Sequence, residues 1–171
     1  MVAAVGILAA AAAYRLDYAH FRADAAARSL ASTMSYAQRE AISFQHDMRV
    51  AFDAAGGRLR VHEDADNDGV IDNGERVTYA DLGDGIVLGR GAAGAMPWGG
   101  ASINFTRTQG ALLCVIFHRD GSASETGGFY INTAKAVAAG SSRDARAIEV
   151  TRSTGRVLWY TYNGAAWLRG N

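Results

Sequence analysis

From Val2 to about Phe44 the chain carries no proline and no turn signal. Its opening, Val2 to Tyr14, is almost purely apolar. From Arg15 onward Leu16, Ala19, Ala23, Ala26, Leu30, Met34, Ala37, Ala41 and Phe44 recur at steps of three and four. This is the stripe of a helix lying on an apolar surface. Arg15, Asp17, Arg22, Asp24, Arg28, Arg39 and Glu40 fall mostly off the stripe, and Asp24 and Arg28 are spaced to pair at i,i+4. A helix of this length runs on the order of 60 Å, about twice a small domain's diameter. Its greasy end therefore has to leave the body of the molecule and find another apolar environment.

After Phe44 the period changes to alternation. Met48, Val50 and Phe52 alternate with Arg49 and Ala51, and Leu59 and Val61 alternate with Arg58, Arg60 and His62; Gly56-Gly57 between them predicts a hairpin turn. Further strands are expected at 76–79, 86–88, 102–106, 112–118, 128–132, 146–152 and 156–162, separated by Asp84-Gly85, Gly99-Gly100, Gln109-Gly110, Asp120-Gly121, Gly140-Ser141 and Thr154-Gly155. Short strands with tight turns imply an antiparallel sheet or two packed sheets. The fold class expected is α+β, a long N-terminal helix packed on antiparallel β-sheet. Leu112 to Phe117, apolar on both faces, reads as the central strand, and Gly89 to Gly100 as a flexible surface loop.

Composition narrows the function classes. Lysine plus arginine and aspartate plus glutamate are both 17, so net charge gives no reason to expect a nucleic-acid or anionic-membrane partner. The single cysteine, Cys114, excludes an internal disulfide and sits in an apolar run, as a small buried hydrophobe does. His20, His46, His62 and His118 show no metal-ligand spacing and read as surface or helix-end residues. No nucleophile elbow, phosphate loop or dinucleotide fingerprint is present, so no enzyme is expected. The apolar opening is shorter than the roughly 20 residues a membrane span needs. No basic residue precedes it and no cleavage site follows, as a signal peptide would require. The expectation is that further apolar residues precede Met1 in the natural chain.

Two constellations carry candidate chemistry. Asp64-Ala65-Asp66-Asn67-Asp68-Gly69-Val70-Ile71-Asp72-Asn73-Gly74-Glu75 fits a twelve-position calcium loop. Asp64, Asp66, Asp68 and Asp72 would supply carboxylates, Val70 a carbonyl, Gly69 the sharp turn and Glu75 a bidentate closure. With strands rather than helices on its flanks it is an isolated loop. The alternative is an acidic hairpin connection whose Asn and Gly residues set turns. Near the C-terminus Trp159, Tyr160, Tyr162 and Trp167 accompany Arg152, Arg156 and Arg169. Rings and arginines interleaved in this way can stack on bases and meet phosphates. Equally, the rings can cover the core from an edge strand.

Several pieces occur in an order that resembles the GspH/FimT pseudopilin family across essentially the whole chain. These are the greasy segment ending Val5-Gly6-Ile7-Leu8-Ala9-Ala10, the helix ending Ala37-Gln38-Arg39-Glu40-Ala41-Ile42, the acidic loop, Phe117 followed by Asp120-Gly121, and Thr154-Gly155-Arg156-Val157 before the last long strand. The resemblance implies a type IV pilin-like fold divided as 1–14, a membrane or filament segment; 15–46, an amphipathic helix on the head; and 47–171, a β-rich head. It implies a minor pseudopilin, a structural subunit at the tip of a type II secretion pseudopilus or type IV pilus. Such a subunit is held in the bacterial inner membrane with its head in the periplasm, packs against other pilins through its helix, and contacts cargo. Two alternatives stay open: a DNA-binding minor pilin using Arg152, Arg156 and Arg169, and a membrane-tethered calcium-binding β module. The position where some DNA-uptake members carry a second arginine is Leu158 here.

Overall fold

The computed structural model describes residues 2–170, with side chains from Tyr18 onward; the apolar segment 1–14 lies outside the described side chains. Helix α1, Val2–Phe44, is unbroken because nothing between Ile7 and Phe44 is glycine or proline. It stops at Gln45, whose φ of 59° is left-handed and whose Nε2 donates back to the Ile42 carbonyl at 2.7 Å.

Strands β1 (Asp47–Asp53) and β2 (Arg58–Asp64) pair in the expected hairpin, Phe52 opposite Leu59, with Gly57 left-handed in the turn. They join β3 (Val77–Asp81), β6 (Arg107–Gln109) and β7 (Leu112–Phe117) in a five-stranded sheet of order β3-β2-β1-β7-β6. The second sheet runs β11 (Trp167–Arg169), β10 (Val157–Tyr162), β9 (Arg146–Val150), β8 (Gly127–Thr133), β4 (Ile86–Leu88), with β5 (Ile103–Asn104) also on β8. All pairings are antiparallel. The fold is the α+β arrangement expected, a helix on antiparallel sheets.

One core lies between α1 and the inner faces of both sheets. Ala23, Ala27, Leu30, Ala31, Met34, Ala37 and Ala41 of α1 meet Met48, Val50, Phe52, Leu59, Val115, Phe117, Phe129, Ile131, Ile148 and Val150. Phe52 links the sheets, its ring 5.4 Å from that of Phe105 and 4.9 Å from that of Phe129. Three family-resembling pieces, far apart in sequence, meet at one point on this helix. Gln38 Nε2 donates to the Gly121 carbonyl at 2.9 Å and to the Thr154 carbonyl at 2.6 Å. Gly155 beside them has φ +58°, and a Cβ there would stand 2.3 Å from the Gly121 oxygen, so a side chain is excluded twice over.

Several expectations are corrected. The central strand is β1, not β7. β7 is apolar on both faces because Cys114 and Ile116 form a small outer cluster with Ala51 and Leu112. Phe44 is exposed beneath the Arg76 guanidinium, whereas Glu40 is buried. The 89–100 segment is pinned rather than flexible: Met96 N–H donates to the Tyr130 hydroxyl at 2.7 Å, that hydroxyl donates to the Gly99 carbonyl at 2.5 Å, and Trp167 Nε1 donates to the Gly94 carbonyl at 2.8 Å. A short helix α2, Ala134–Ala138, capped by the Thr133 hydroxyl, had no sequence signal long enough to read.

Asp24 does not pair with Arg28. It accepts from Arg146 Nε at 2.7 Å, while Arg28 lies 5.4 Å over the Trp159 ring. Arg146 is fully buried, and that carboxylate is its ion-pair partner. Asp24→Ala is therefore expected to cost about 3 kcal/mol, the scale of stranding a buried ion, and Arg28→Ala under about 1 kcal/mol. Urea denaturation of the two variants checks the ranking.

Candidate functional site

The acidic loop joins β2 to β3 and folds back onto the outer face of the first sheet. That face is built by the alternation of β1 and β2: with Met48, Val50, Leu59 and Val61 turned inward, Arg49, Arg60, His62 and Asp64 point out. Asp64 is nonetheless buried, because Arg49 Nε donates to its Oδ2 at 2.5 Å and the loop closes over the pair. Its Oδ1 accepts the Gly69 N–H at 3.2 Å. Asp66 Oδ1 accepts the Asp68 N–H at 3.2 Å, and Asp68 Oδ1 accepts the Val70 N–H at 2.7 Å. These nested turns, with Asn67 and Gly69 left-handed, draw carboxylate oxygens of Asp64, Asp66 and Asp68 within 4.8 Å of one another.

Glu75 sits differently from the expected closing ligand. Its Oε1 accepts the Ala65 N–H at 2.8 Å; its Oε2 accepts the Asp72 N–H at 3.0 Å and faces His62 Nε2 at 2.6 Å. The Asp72 N–H, then His62, hold its carboxyl down to about 2. The Asp72 carboxyl is raised, first by desolvation within the loop and then by the charges of Asp68, Asp66 and Glu75. Val70 is exposed, with its N–H on Asp68. Three convergent carboxylates suit a hard, oxygen-preferring divalent cation. Asp66 and Asp68 would be the accessible donors for such a cation, Asp64 is shared with Arg49, and Glu75 braces the loop from within.

The residues missed from sequence are the ones beneath the loop. His62, read as a surface residue, is fully buried. Gln109 Nε2 donates to His62 Nδ1 at 2.6 Å, which leaves Nε2 as the protonated nitrogen that donates to Glu75. Gln109 Oε1 accepts from Arg60 at 3.1 Å. The signal available was the polar side of the β1–β2 alternation. The other histidines also meet carboxylates: His46 Glu63 and His118 Asp47, each at 3.0 Å, and His20 Asp24 and Asp144, each at 3.6 Å. Cys114 is buried as read, and burial pushes its thiol up, away from nucleophilic use.

The three C-terminal arginines divide between two places. Arg152 and Arg156 flank the β9–β10 turn, and Arg152 lines a ≈ 590 Å³ groove with Arg107, His118, Ser124 and Thr126. Arg169 lies on β11 opposite Tyr160, roughly 13 Å along β10 from Arg156 at ~3.3 Å per residue. The nearby rings have other tasks. Trp159 packs on the core, and the Tyr160 hydroxyl donates to Glu149 at 2.7 Å, with its pKa pushed up to about 12 by burial and then by that carboxylate. Tyr162, Trp167 and Tyr130 pack ring to ring at tilted angles, and Tyr130 in turn holds Trp98 of the 89–100 segment.

A family model described as type II transport protein GspH matches residues 26–154, a span that takes in Gln38, the acidic loop, Gly121 and Thr154. No curated protein and no solved structure matches the chain.

Because the Glu75 carboxyl is held below its unfolded value, it adds stability above that value, and the contribution is lost as pH falls from about 4.5 to about 2. Glu75→Gln is expected to be less stable than wild type at pH 7, and to lose less between those two pH values. Urea midpoints measured from pH 7 down to pH 2 check both.

Proposed function

The chain belongs to the GspH family of type II transport proteins, and from that premise we propose that it is a minor pseudopilin. It is an assembly subunit rather than an enzyme, held by its N-terminal helix in the inner membrane with the β head in the periplasm. It joins the tip of a secretion pseudopilus. The observation that carries this reading is the outward face of α1. Ala23 to Ala41 bury one face on the sheets, while Tyr18 and Phe21, on the opposite face near the leading end, are 62% and 67% exposed, and Tyr36 on that same outward face is 50% exposed. Large apolar rings left uncovered on a helix that continues past its own domain suit packing against a neighbour's helix. Among the described residues no helix is long and apolar enough to cross a membrane. The anchoring role is assigned to the apolar run Val2 to Tyr14. A photo-crosslinker at Phe21 is expected to capture another pseudopilin in cells, and one at Thr78, on the far edge strand, is not. Capture at neither position would remove the filament reading.

A second reading adds to the first. The convergence of Asp64, Asp66 and Asp68 supports a weak divalent-cation site that stiffens the loop. The cation expected is calcium, because alternate carboxylates with a left-handed glycine at the sixth position are the chemistry of a flexible oxygen cage. Titration of calcium chloride into the full chain is expected to give saturable heat in the ~10⁻⁴–10⁻³ M range, abolished by Asp66→Ala with Asp68→Ala. No heat at millimolar calcium dismisses the site.

A further inference from the structure

Where α1 leaves the sheets, a ≈ 780 Å³ groove runs between it and α2, walled by Ala19, Ala134, Ala136 and Ala139. At the α1 end of this groove lies a polar cluster that neither the filament packing nor the acidic loop uses. Asp144 lines the groove, is 7% exposed and carries an Oδ1 with no hydrogen-bond partner among the described residues. His20 Nδ1 stands 3.6 Å away, beyond hydrogen-bond reach, and is itself 3.0 Å from Arg146 Nη2, while Arg146 is further committed to Asp24 and to the Ala145 carbonyl. The backbone of Asp144 is left-handed, φ 65°, a conformation that Asp and Asn adopt more readily than most residues. A buried carboxylate oxygen without a donor costs free energy that a ligand able to donate would recover. On the groove's rim Lys135 and Arg143 are exposed, while Arg22 is held by Asp84 at 3.0 Å.

A simple anion would satisfy the rim and leave Asp144 bare. A simple amine would satisfy Asp144 and face two cations. A group that carries a phosphate and an N–H-bearing ammonium in succession satisfies both. The position on the helix names the source. Ala19 is five residues past Tyr14, the last residue of the apolar run, or ~7.5 Å at 1.5 Å per residue. The polar layer of a bilayer is about 5–7 Å deep on each side of its hydrocarbon. We infer that this groove seats the headgroup of an amine-bearing phospholipid, its phosphate against Lys135 and Arg143 and its ammonium on Asp144. The inference rests on the membrane-held reading above, and adds to it a lipid contact by the head rather than by the apolar helix alone.

The test is native mass spectrometry of the full chain in detergent, offered phosphatidylethanolamine and phosphatidylcholine in equal amounts. The second lipid has the same phosphate and charge but no N–H. Wild type is expected to retain phosphatidylethanolamine about fivefold better, the scale of one hydrogen bond. Asp144→Asn, whose side chain tolerates the left-handed backbone, is expected to bring the ratio near one without moving the melting temperature. Equal retention by wild type, or an unchanged preference in D144N, overturns the headgroup assignment and leaves the filament reading standing. Retention of neither lipid sinks the membrane-held reading as well. O-phosphoethanolamine, which has no acyl chains, is expected not to displace the lipid at millimolar concentration. Displacement would make this a site for soluble phosphate esters and end the lipid assignment.

Discussion

The close seating of α1 across two separate sheets is the constraint on which the rest of the structure depends. Five of the seven apolar side chains that α1 commits to the core are alanine, with Leu30 and Met34 filling the middle. Alanine lets a helix approach a sheet closely, but each one buries little area, so apolar burial alone holds this interface only moderately. Polar ties from both sheets complete it. Arg146, from the second sheet, takes Asp24 near the start of the packed region. Arg76, just before β3 of the first sheet, takes Glu40 at 2.7 Å near its end. Gln38 binds two connecting turns. Each tie is charge-assisted or doubly hydrogen-bonded, and these are the stronger kinds.

With the inner faces of both sheets consumed by α1, each sheet had to cover its outer face by other means. The second sheet does so with rings: Tyr130, Tyr162 and Trp167 clamp the 89–100 segment, whose own Trp98 packs on Tyr130, and the Tyr130 hydroxyl spans from the Met96 amide to the Gly99 carbonyl. The first sheet does so with charge: Arg49, His62 and Gln109 hold the acidic loop down through Asp64, Glu75 and the Gly69 carbonyl. Glycine spacing in the first case and carboxylate spacing in the second set the loop conformations. The anchors are supplied by the outward residues of neighbouring strands.

Much of this was legible in the sequence because local patterns were strong. The unbroken helix, the β1–β2 hairpin at Gly56-Gly57 and most strands followed from period and turn chemistry alone. What escaped depended on partners far away in the chain. Asp24 has a plausible i,i+4 arginine, and only the fold brings Arg146 to it, 122 residues on. His62 alternates as a surface residue would, and is buried by a loop that sequence spacing does not fold back. Phe44 and Glu40 exchange their expected places because Arg76 draws the carboxylate in and covers the ring from outside. Of the acidic loop the sequence expected five carboxylates, Asp64, Asp66, Asp68, Asp72 and Glu75, to face one point; the fold draws Asp64, Asp66 and Asp68 together and turns Glu75 inward to His62.

The consecutive residues Glu75 and Arg76 give the loop its mechanical meaning. Glu75 reaches down to His62 on the sheet, and Arg76 reaches across to Glu40 on the helix, with Glu63 shared at 3.1 Å. The Arg76 guanidinium is held charged by Glu40 first. Any event that stiffens the loop therefore acts on the distal end of the packed helix. The Asp24–Arg146 tie and the groove beside it are sixteen residues away along a rigid rod, ~24 Å at the helical rise. A helix clamped at both ends over an alanine-lined seat moves as a body with its sheets, so its exposed leading rings keep a fixed orientation to the head. The proposed docking by the helix, with the head free to meet other partners, needs that fixed relation.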